Sequence, residues 1–225
     1  MISHEKKFVF VHIPRTGGTH LCDFLLPYCD EESLKFSPFG KDEHQHATLL
    51  EYVDYYGKEI LDYTIFSIVR NPWDRALSLS LKHNDGIFDR EHFRKVVHHP
   101  YRYSHDPHSH FTFFLKKIPI GPDGKPQIYE AFHPFTCSEE MQVLYELFHW
   151  PYFLQFEDYV ENVIEIFDKL DIKYDIEKLK TKSNSTSHKH YSHYYDDDDE
   201  KEAIAYACAL DLQIFGYTFD DRRNK

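Results

Sequence analysis

Residues 8–19 of the chain are FVFVHIPRTGGT. The first four residues form a short, unbroken apolar run, which is typical of a strand covered on both faces. A turn with two glycines follows, and Leu21, Phe24 and Leu25 then recur with the spacing of a helix. A strand, a glycine turn and a helix in this order open an α/β nucleotide-binding unit. The stretch therefore predicts the α/β fold class.

A second strand, turn and helix follow further along the chain. The apolar run Tyr63–Val69 predicts a buried strand, Arg70–Arg75 predicts the turn, and Ala76–Lys82 predicts the helix. Unbroken apolar strands of this kind belong to parallel sheets that carry helices on both faces. We therefore expect a three-layer domain with a central parallel sheet flanked by helices.

The rest of the chain predicts a single domain over residues 1–225, because no linker divides it. Segment Asn84–Pro134 is rich in His, Pro, Tyr and Gly and has no clean periodicity, so we expect it to be an insertion. Segment Lys178–Tyr195 is expected to be irregular. Apolar spacing predicts these further elements: helices at Leu49–Leu61, Glu139–Phe148, Asp158–Leu170 and Asp198–Phe215, and a strand at Tyr152–Phe156.

Net charge and cysteine content narrow the class of protein. A formal net charge of −12 argues against a general nucleic-acid-binding protein, which would carry a broad basic surface. The four cysteines form no CxxC pair, so reduced thiols are expected. The first residues do not resemble a signal peptide, and no apolar run approaches the roughly 18 residues of a membrane span. We expect a cytoplasmic protein with neither nucleic acid nor a membrane as its partner.

The glycine turn has the composition of a phosphate-binding loop. Gly17 and Gly18 leave the backbone uncrowded, and the helix that follows presents free N–H groups to an anion. Thr16 and Thr19 add hydroxyl donors, and Arg15 adds a full charge. No Gly-Lys-Ser/Thr ends the loop, so it is not a Walker A motif and ATP is disfavoured. The alternative interpretation is a plain β-turn that joins a strand to a helix.

The turn after the second strand predicts another anion site. Arg70 follows the carboxyl end of that strand, where open α/β sheets bind their ligands. Ser78 lies in the next helix, and an arginine with a serine forms a charge-assisted clamp for a phosphate. Arg75 is expected either to pair with Asp74 or a glutamate, or to contact the ligand. Trp73 is interpreted as a core residue.

These motifs resemble those of a known family. Val11–Thr19 resembles the 5′-phosphosulfate loop of the Golgi-type carbohydrate sulfotransferases and their bacterial relatives, and Ile68–Ser78 resembles their 3′-phosphate motif. Tyr191–Tyr195 and Asp211–Tyr217 resemble the end of the same family. The resemblance implies a P-loop-like fold and 3′-phosphoadenosine 5′-phosphosulfate (PAPS) as the co-substrate. It also implies a hydroxyl acceptor, a glycan or a small alcohol, which the insertion at residues 84–134 is expected to face.

The resemblance also implies roles for individual residues. Gly17, Gly18 and Thr19 would hold the 5′-phosphosulfate, while Arg70 and Ser78 would hold the 3′-phosphate. The family usually carries lysine at the position of Arg15, where it stabilises charge on the leaving phosphate oxygen. Arginine has a wider fork and a different reach, so we expect a reshaped site or slower transfer.

Sulfuryl transfer needs a base for the acceptor proton. Segment 43–48, EHQHAT, lies before the second strand, where members of the family carry a catalytic histidine. His46 is the first candidate and His44 the second, with a carboxylate as a further alternative. Glu157 is interpreted as a residue that caps or orients a neighbour. No metal is expected, because fixed cations can neutralise the donor.

Other histidines are closely spaced in two groups: His105, His108 and His110, and His188, His190 and His193. Neither group has a Cys partner or the spacing of a helical metal motif, so we interpret both as solvated loop histidines. The resemblance places basic residues of the C-terminal segment near the donor phosphates, and the candidates are Lys182, His188 and Lys189.

Two other functions fit part of this pattern. A nucleotide-dependent kinase would also bind phosphates, but the chain has no Walker lysine and no convincing carboxylate pair for Mg²⁺. A module that binds the 3′-phosphoadenosine nucleotide without transferring sulfate is the second alternative. The arginine at position 15 keeps that alternative open.

Overall fold

The computed structural model describes residues 1–30, 46–98, 110, 151–181 and 188–223. Over these ranges the chain forms an α/β structure in which helices flank a four-stranded mixed sheet. The strands lie in the order in which they occur along the chain: β1 (Ile2–Ser3), β2 (Phe8–Val11), β3 (Thr64–Val69) and β4 (Tyr152–Gln155).

Three of the four strands are parallel, as the sequence predicts. In β2 and β3, Val11 lies opposite Ser67, and in β3 and β4, Val69 lies opposite Gln155. The short strand β1 pairs antiparallel with β2, so the expectation of a wholly parallel sheet is wrong at this edge. A tight turn over residues 4–7 joins the two strands, and such turns connect only antiparallel neighbours.

Eight α-helices have both their ends within the described ranges. They are α1 (Gly18–Leu25), α2 (Leu49–Tyr56), α3 (Pro72–His83), α4 (Arg90–His98), α5 (Tyr159–Lys169), α6 (Ile176–Lys180), α7 (Asp198–Ala207) and α8 (Ala209–Phe215). Short 3₁₀ turns occupy Leu26–Tyr28, Lys58–Asp62, Phe156–Asp158 and Tyr191–Tyr194.

Several predicted boundaries differ from the observed ones. The expected helix Leu49–Leu61 ends early, because Gly57 has a left-handed φ of 87°. The expected helix Asp198–Phe215 is divided at Cys208 into α7 and α8. Helix α6 lies at the edge of a segment predicted to be irregular. The predicted helix Glu139–Phe148 falls outside the described residues.

Apolar side chains cover both faces of the sheet. On one face, Val9 and Val11 of β2 pack with Tyr52 of α2. On the other face, Phe8 and Phe10 of β2 pack with side chains of α1 and α5. All four residues of β2 are therefore buried, which explains why the strand is an unbroken apolar run.

A third apolar cluster joins α3, α4 and α7, and it includes Trp73 as predicted. Phe93 of α4 belongs to this cluster, so the start of the expected insertion at residues 84–134 is part of the folded core. Residues 99–109 and 111–134 fall outside the described ranges. Glu200 in α7 is buried and accepts hydrogen bonds from Arg90 and Arg94. Glu200 is the last of five consecutive acidic residues, 196–200, and its burial shows that this run is not wholly solvated.

Two further findings concern the helices and the cysteine thiols. None of the helices within the described ranges combines the length and the apolar character that a membrane span requires. Burial raises the pKa of the Cys22 and Cys29 thiols to about 11 each. Both groups are therefore thiols rather than thiolates, the reactive form, near neutral pH.

Helix α2 begins at a capping box. The Thr48 hydroxyl accepts from the Glu51 N–H, and the Glu51 carboxylate accepts from the Thr48 N–H at 2.7 Å. Two of the unpaired donors at the helix start are satisfied in this way. The cap fixes where α2 begins, and His46 lies two residues before the capping Thr48.

The Thr48 cap can be tested by substitution. We expect Thr48→Ala to lower the free energy of unfolding by about 1 kcal/mol, because it removes the oxygen that accepts the Glu51 N–H. Thr48→Ser keeps that oxygen and is the matched control. Urea denaturation measures both variants, and an equal loss in the two would contradict the capping role.

Candidate functional site

The two predicted anion-binding turns lie side by side at the carboxyl ends of β2 and β3. Because these strands are parallel neighbours, the turn that follows each of them leaves the same edge of the sheet. Hydrogen bonds join the glycine turn directly to Arg70 and to Arg75 at the start of α3. Arg70 Nη1 donates to the Arg15 carbonyl at 3.2 Å, and Arg75 Nε donates to the Pro14 carbonyl at 2.8 Å.

The glycine turn has a left-handed backbone and close neighbours. Gly17 has a φ of 90° and is the N-cap residue of α1, and Arg15 has a φ of 65°. A Cβ at Gly17 would lie 2.8 Å from the Phe156 ring, and one at Gly18 would overlap the His12 ring. Gly17 is therefore required by its conformation and its contacts, and Gly18 by its contact with His12.

Within the described residues, no side chain caps the N-terminus of α1. Its free N–H groups can therefore donate to an anion. Thr19, the second residue of the helix, is exposed at this end. Thr16 is fully buried, and its hydroxyl donates to the Ile13 carbonyl at 2.8 Å. The Thr16 hydroxyl therefore supports the turn. A contact of Thr16 with an anion would involve its backbone N–H instead.

Three guanidinium groups meet around the glycine turn. The pKa of Arg15 is lowered, first by burial and then by the nearby charges of Arg70 and Arg75. Arg70 pairs with Asp74 at 2.7 Å and stacks on the Phe156 ring at 4.4 Å. Arginine keeps its charge under such conditions, so positive charges are concentrated here in a chain of net charge −12. A bound anion would relieve their mutual repulsion.

Arg15 connects the two predicted sites. Its Nε and Nη2 donate to the Ser78 hydroxyl at 3.2 and 3.0 Å. Its carbonyl oxygen accepts from Arg70, so Arg15 bridges Arg70 and Ser78. Ser78 is only 3% exposed and lies in α3. The sequence assigned Arg15 to one predicted anion site and Ser78 to the other, whereas in the structure the two side chains are hydrogen-bonded to each other.

Two histidines extend from the glycine turn. The His12 ring lies against Gly18, and the His46 ring lies 4.5 Å from the His12 ring. His46 Nδ1 lies 3.1 Å from the His12 carbonyl. Because a carbonyl can only accept, Nδ1 carries a proton, and in the neutral ring Nε2 then carries the lone pair that a base requires. His44 lies outside the described residues.

The turn after β3 is held by side chains from distant parts of the chain. The Asn71 side chain caps α3, and its backbone N–H donates to Glu157 Oε1 at 2.7 Å. Glu157 Oε2 accepts from the Tyr217 hydroxyl at 3.0 Å. Burial raises the pKa of Tyr217, so this hydroxyl remains a donor. The interpretation of Glu157 as an orienting residue is confirmed.

The histidine groups divide between the surface and the core. His110 is fully buried, so its interpretation as a solvated loop residue is wrong. His193 is exposed, while His190 caps the 3₁₀ turn that begins at Tyr191. No group of three His, Cys, Asp or Glu side chains within the described ranges could hold a metal ion.

The remaining basic candidates lie in the C-terminal segment. His188 Nδ1 donates to the Lys189 carbonyl at 2.7 Å, and Lys189 is exposed. Lys182, like His105 and His108, falls outside the described residues. The approach of His188 and Lys189 to a donor phosphate stays a prediction.

Sequence reasoning missed two site residues, His12 and Phe156. His12 directly continues the apolar strand and precedes a proline, and Phe156 ends a predicted strand, so both fit the pattern of core residues. The local signal was available only for His12, as a polar residue at a strand end. Its contact with Gly18 depends on the fold.

No protein-family model, curated protein or solved structure matches this chain. The resemblance to the carbohydrate sulfotransferases therefore depends on the motifs themselves.

Substitutions at Gly18 and His12 test whether the contact between these two residues stabilises the fold. We expect Gly18→Ala to lower the free energy of unfolding by about 1–3 kcal/mol, because the new methyl group overlaps the His12 ring. In the double variant His12→Ala/Gly18→Ala that ring is absent, so its loss should be smaller than the sum of the two single losses. Urea denaturation of the four proteins measures the difference, and strictly additive losses would show that the contact is unimportant.

Proposed function

We propose that this chain is a sulfotransferase with a P-loop-like fold, which moves the sulfuryl group of PAPS to an acceptor hydroxyl. A carbohydrate hydroxyl is the acceptor class that the motif resemblance implies. The observation that carries the proposal is the bridge made by Arg15, whose carbonyl accepts from Arg70 and whose side chain donates to Ser78. This bridge brings the glycine turn into direct contact with the second predicted anion motif.

The two anionic groups of PAPS fit the two neighbouring motifs. The donor carries a phosphosulfate at its 5′ position and a phosphate at its 3′ position, so it needs two neighbouring anion sites. The open N–H groups of α1 and the exposed Thr19 suit the first group. Arg70 and Ser78 suit the second, and Arg15 lies between them. Three arginines supply the positive charge, so the proposal requires no metal.

The proposed transfer assigns a role to each group in the site. The acceptor oxygen forms a bond to sulfur while the bond from sulfur to the bridging phosphate oxygen breaks, which leaves adenosine 3′,5′-bisphosphate. His46 Nε2 takes the acceptor proton, while its Nδ1–H stays bonded to the His12 carbonyl. The charge that develops on the leaving phosphate oxygen is stabilised by Arg15 and the N–H groups of the glycine turn.

Titration calorimetry with adenosine 3′,5′-bisphosphate tests the nucleotide site. We expect binding without Mg²⁺, and a loss of about 10- to 100-fold in affinity in Arg70→Ala and in Arg15→Ala, because each removes charged hydrogen bonds. Lys180→Ala is the matched control, since it removes one exposed positive charge on α6. Adenosine 5′-monophosphate, which lacks the 3′-phosphate, should bind more weakly. Tighter binding of ATP with Mg²⁺ would favour the kinase alternative and overturn the proposal.

Turnover with sulfur-labelled PAPS and a panel of saccharides tests the base. We expect His46→Ala to lower kcat by about 10²- to 10⁴-fold, the usual contribution of a general base. Its affinity for adenosine 3′,5′-bisphosphate should stay unchanged, because His46 contacts the His12 carbonyl rather than the anion site.

His193→Ala is the control for that experiment, because His193 is an exposed histidine outside the proposed site. Equal turnover in His46→Ala and the unaltered protein would exclude His46 as the base. A protein that binds the bisphosphate and transfers no label to any saccharide would instead be the silent nucleotide-binding module.

A further inference from the structure

A histidine and an aspartate are buried together behind the anion site. His110 and Asp211 are both 0% exposed, although each carries a polar side chain. His110 Nδ1 lies 2.8 Å from Asp211 Oδ2, and the His110 backbone N–H donates to the same oxygen at 2.6 Å. Burial of such a pair is costly unless its polar atoms are bonded, so its position calls for an explanation.

The third partner of the pair is the backbone of Arg70. The Arg70 N–H donates to His110 Nε2 at 3.3 Å. Nε2 can accept only when it carries no proton, so the His110 proton lies on Nδ1, where it is donated to Asp211. Asp211 thereby fixes both the tautomer and the orientation of the ring. The His110 ring transmits that constraint to the Arg70 peptide.

The Arg70 peptide lies where the chain leaves the sheet. Beyond Val69 the strand pairing ends, and the next two backbone N–H groups are taken by side chains from elsewhere. Arg70 N–H donates to His110, and Asn71 N–H donates to Glu157. These two bonds set the path of the turn, and so they set the point from which the Arg70 side chain reaches the Arg15 carbonyl.

We propose that His110 and Asp211 are positioning residues for Arg70 in the anion site. The inference rests on the proposed function for its ligand, and on the geometry alone for its action on the Arg70 peptide. The pair does not act as a base on the substrate, because both side chains are fully buried and Nε2 is occupied by the Arg70 N–H. It links helix α8, which carries Asp211, to the turn that follows β3.

Two substitutions of His110 separate the two hydrogen bonds of its ring, one to the Arg70 N–H and one to Asp211. Glutamine carries its amide group about where Nε2 lies, so His110→Gln can still accept from the Arg70 N–H. Asparagine carries its amide about where Nδ1 lies, so His110→Asn keeps the bond to Asp211 and loses the bond to Arg70. Both variants keep the His110 backbone N–H that donates to Asp211.

Amide hydrogen exchange at Arg70 and titration with adenosine 3′,5′-bisphosphate measure the effect. We expect His110→Asn to speed exchange of the Arg70 amide and to weaken bisphosphate binding, each by about tenfold, the loss of one hydrogen bond. His110→Gln should stay within about threefold of the unaltered protein in both. Equal behaviour of the two variants, or unchanged exchange in His110→Asn, would overturn the inference.

The unaltered protein supplies a test that does not depend on how the variants fold. Nitrogen-15 spectra of its histidines should show His110 protonated at Nδ1 and unprotonated at Nε2, and any other state would overturn the inference. Failure of the unaltered protein to bind the bisphosphate would overturn the proposed function alone. The tautomer and the Arg70 amide exchange would then decide whether the pair positions the turn.

Discussion

The crowding of like charges at the ends of β2 and β3 is the constraint on which the site depends. The pKa of Arg15 is lowered first by burial and then by the nearby charges of Arg70 and Arg75. Such an arrangement is unfavourable unless other groups hold it. Carbonyl oxygens of the glycine turn accept from Arg70 and Arg75, and Asp74 pairs with Arg70. The cost of bringing the cations together is therefore met during folding, so an anion would find them already assembled.

The glycine turn transmits this arrangement to both sides of the site. On one side, Gly17 lies against Phe156, and the same ring is covered by the Arg70 guanidinium. On the other side, Gly18 lies against His12, whose carbonyl fixes the proton of His46. A side chain at either glycine would displace a ring, and with it either the second anion motif or the proposed base. The small size of these residues is thus as important as the φ of Gly17.

The fold was largely predictable because β2 and β3 are covered on both faces and read as unbroken apolar runs. The strand β1 was missed because two residues are too short to form a pattern. The start of α3 was placed late, although Asn71 followed by Pro72 is a typical helix start.

The residues of the site were predictable only where the signal is local. Glycines, arginines and a serine at fixed spacing identify the two turns, whereas the contact of Arg15 with Ser78 depends on the sheet that brings them together. The pairing of His110 with Asp211 joins parts of the chain that no local pattern connects, and burial reverses the expectation from a histidine-rich loop.

The arginine at position 15 is better understood from this geometry than from the motif alone. A lysine there would offer one ammonium group on a flexible stem, which suits a single phosphate oxygen. The guanidinium of Arg15 donates to Ser78 through two nitrogens, and this contact needs the planar fork. The same residue accepts from Arg70 through its carbonyl, in a left-handed conformation that places it at the centre of the turn. Arg15 therefore links the two turns that are predicted to bind anions.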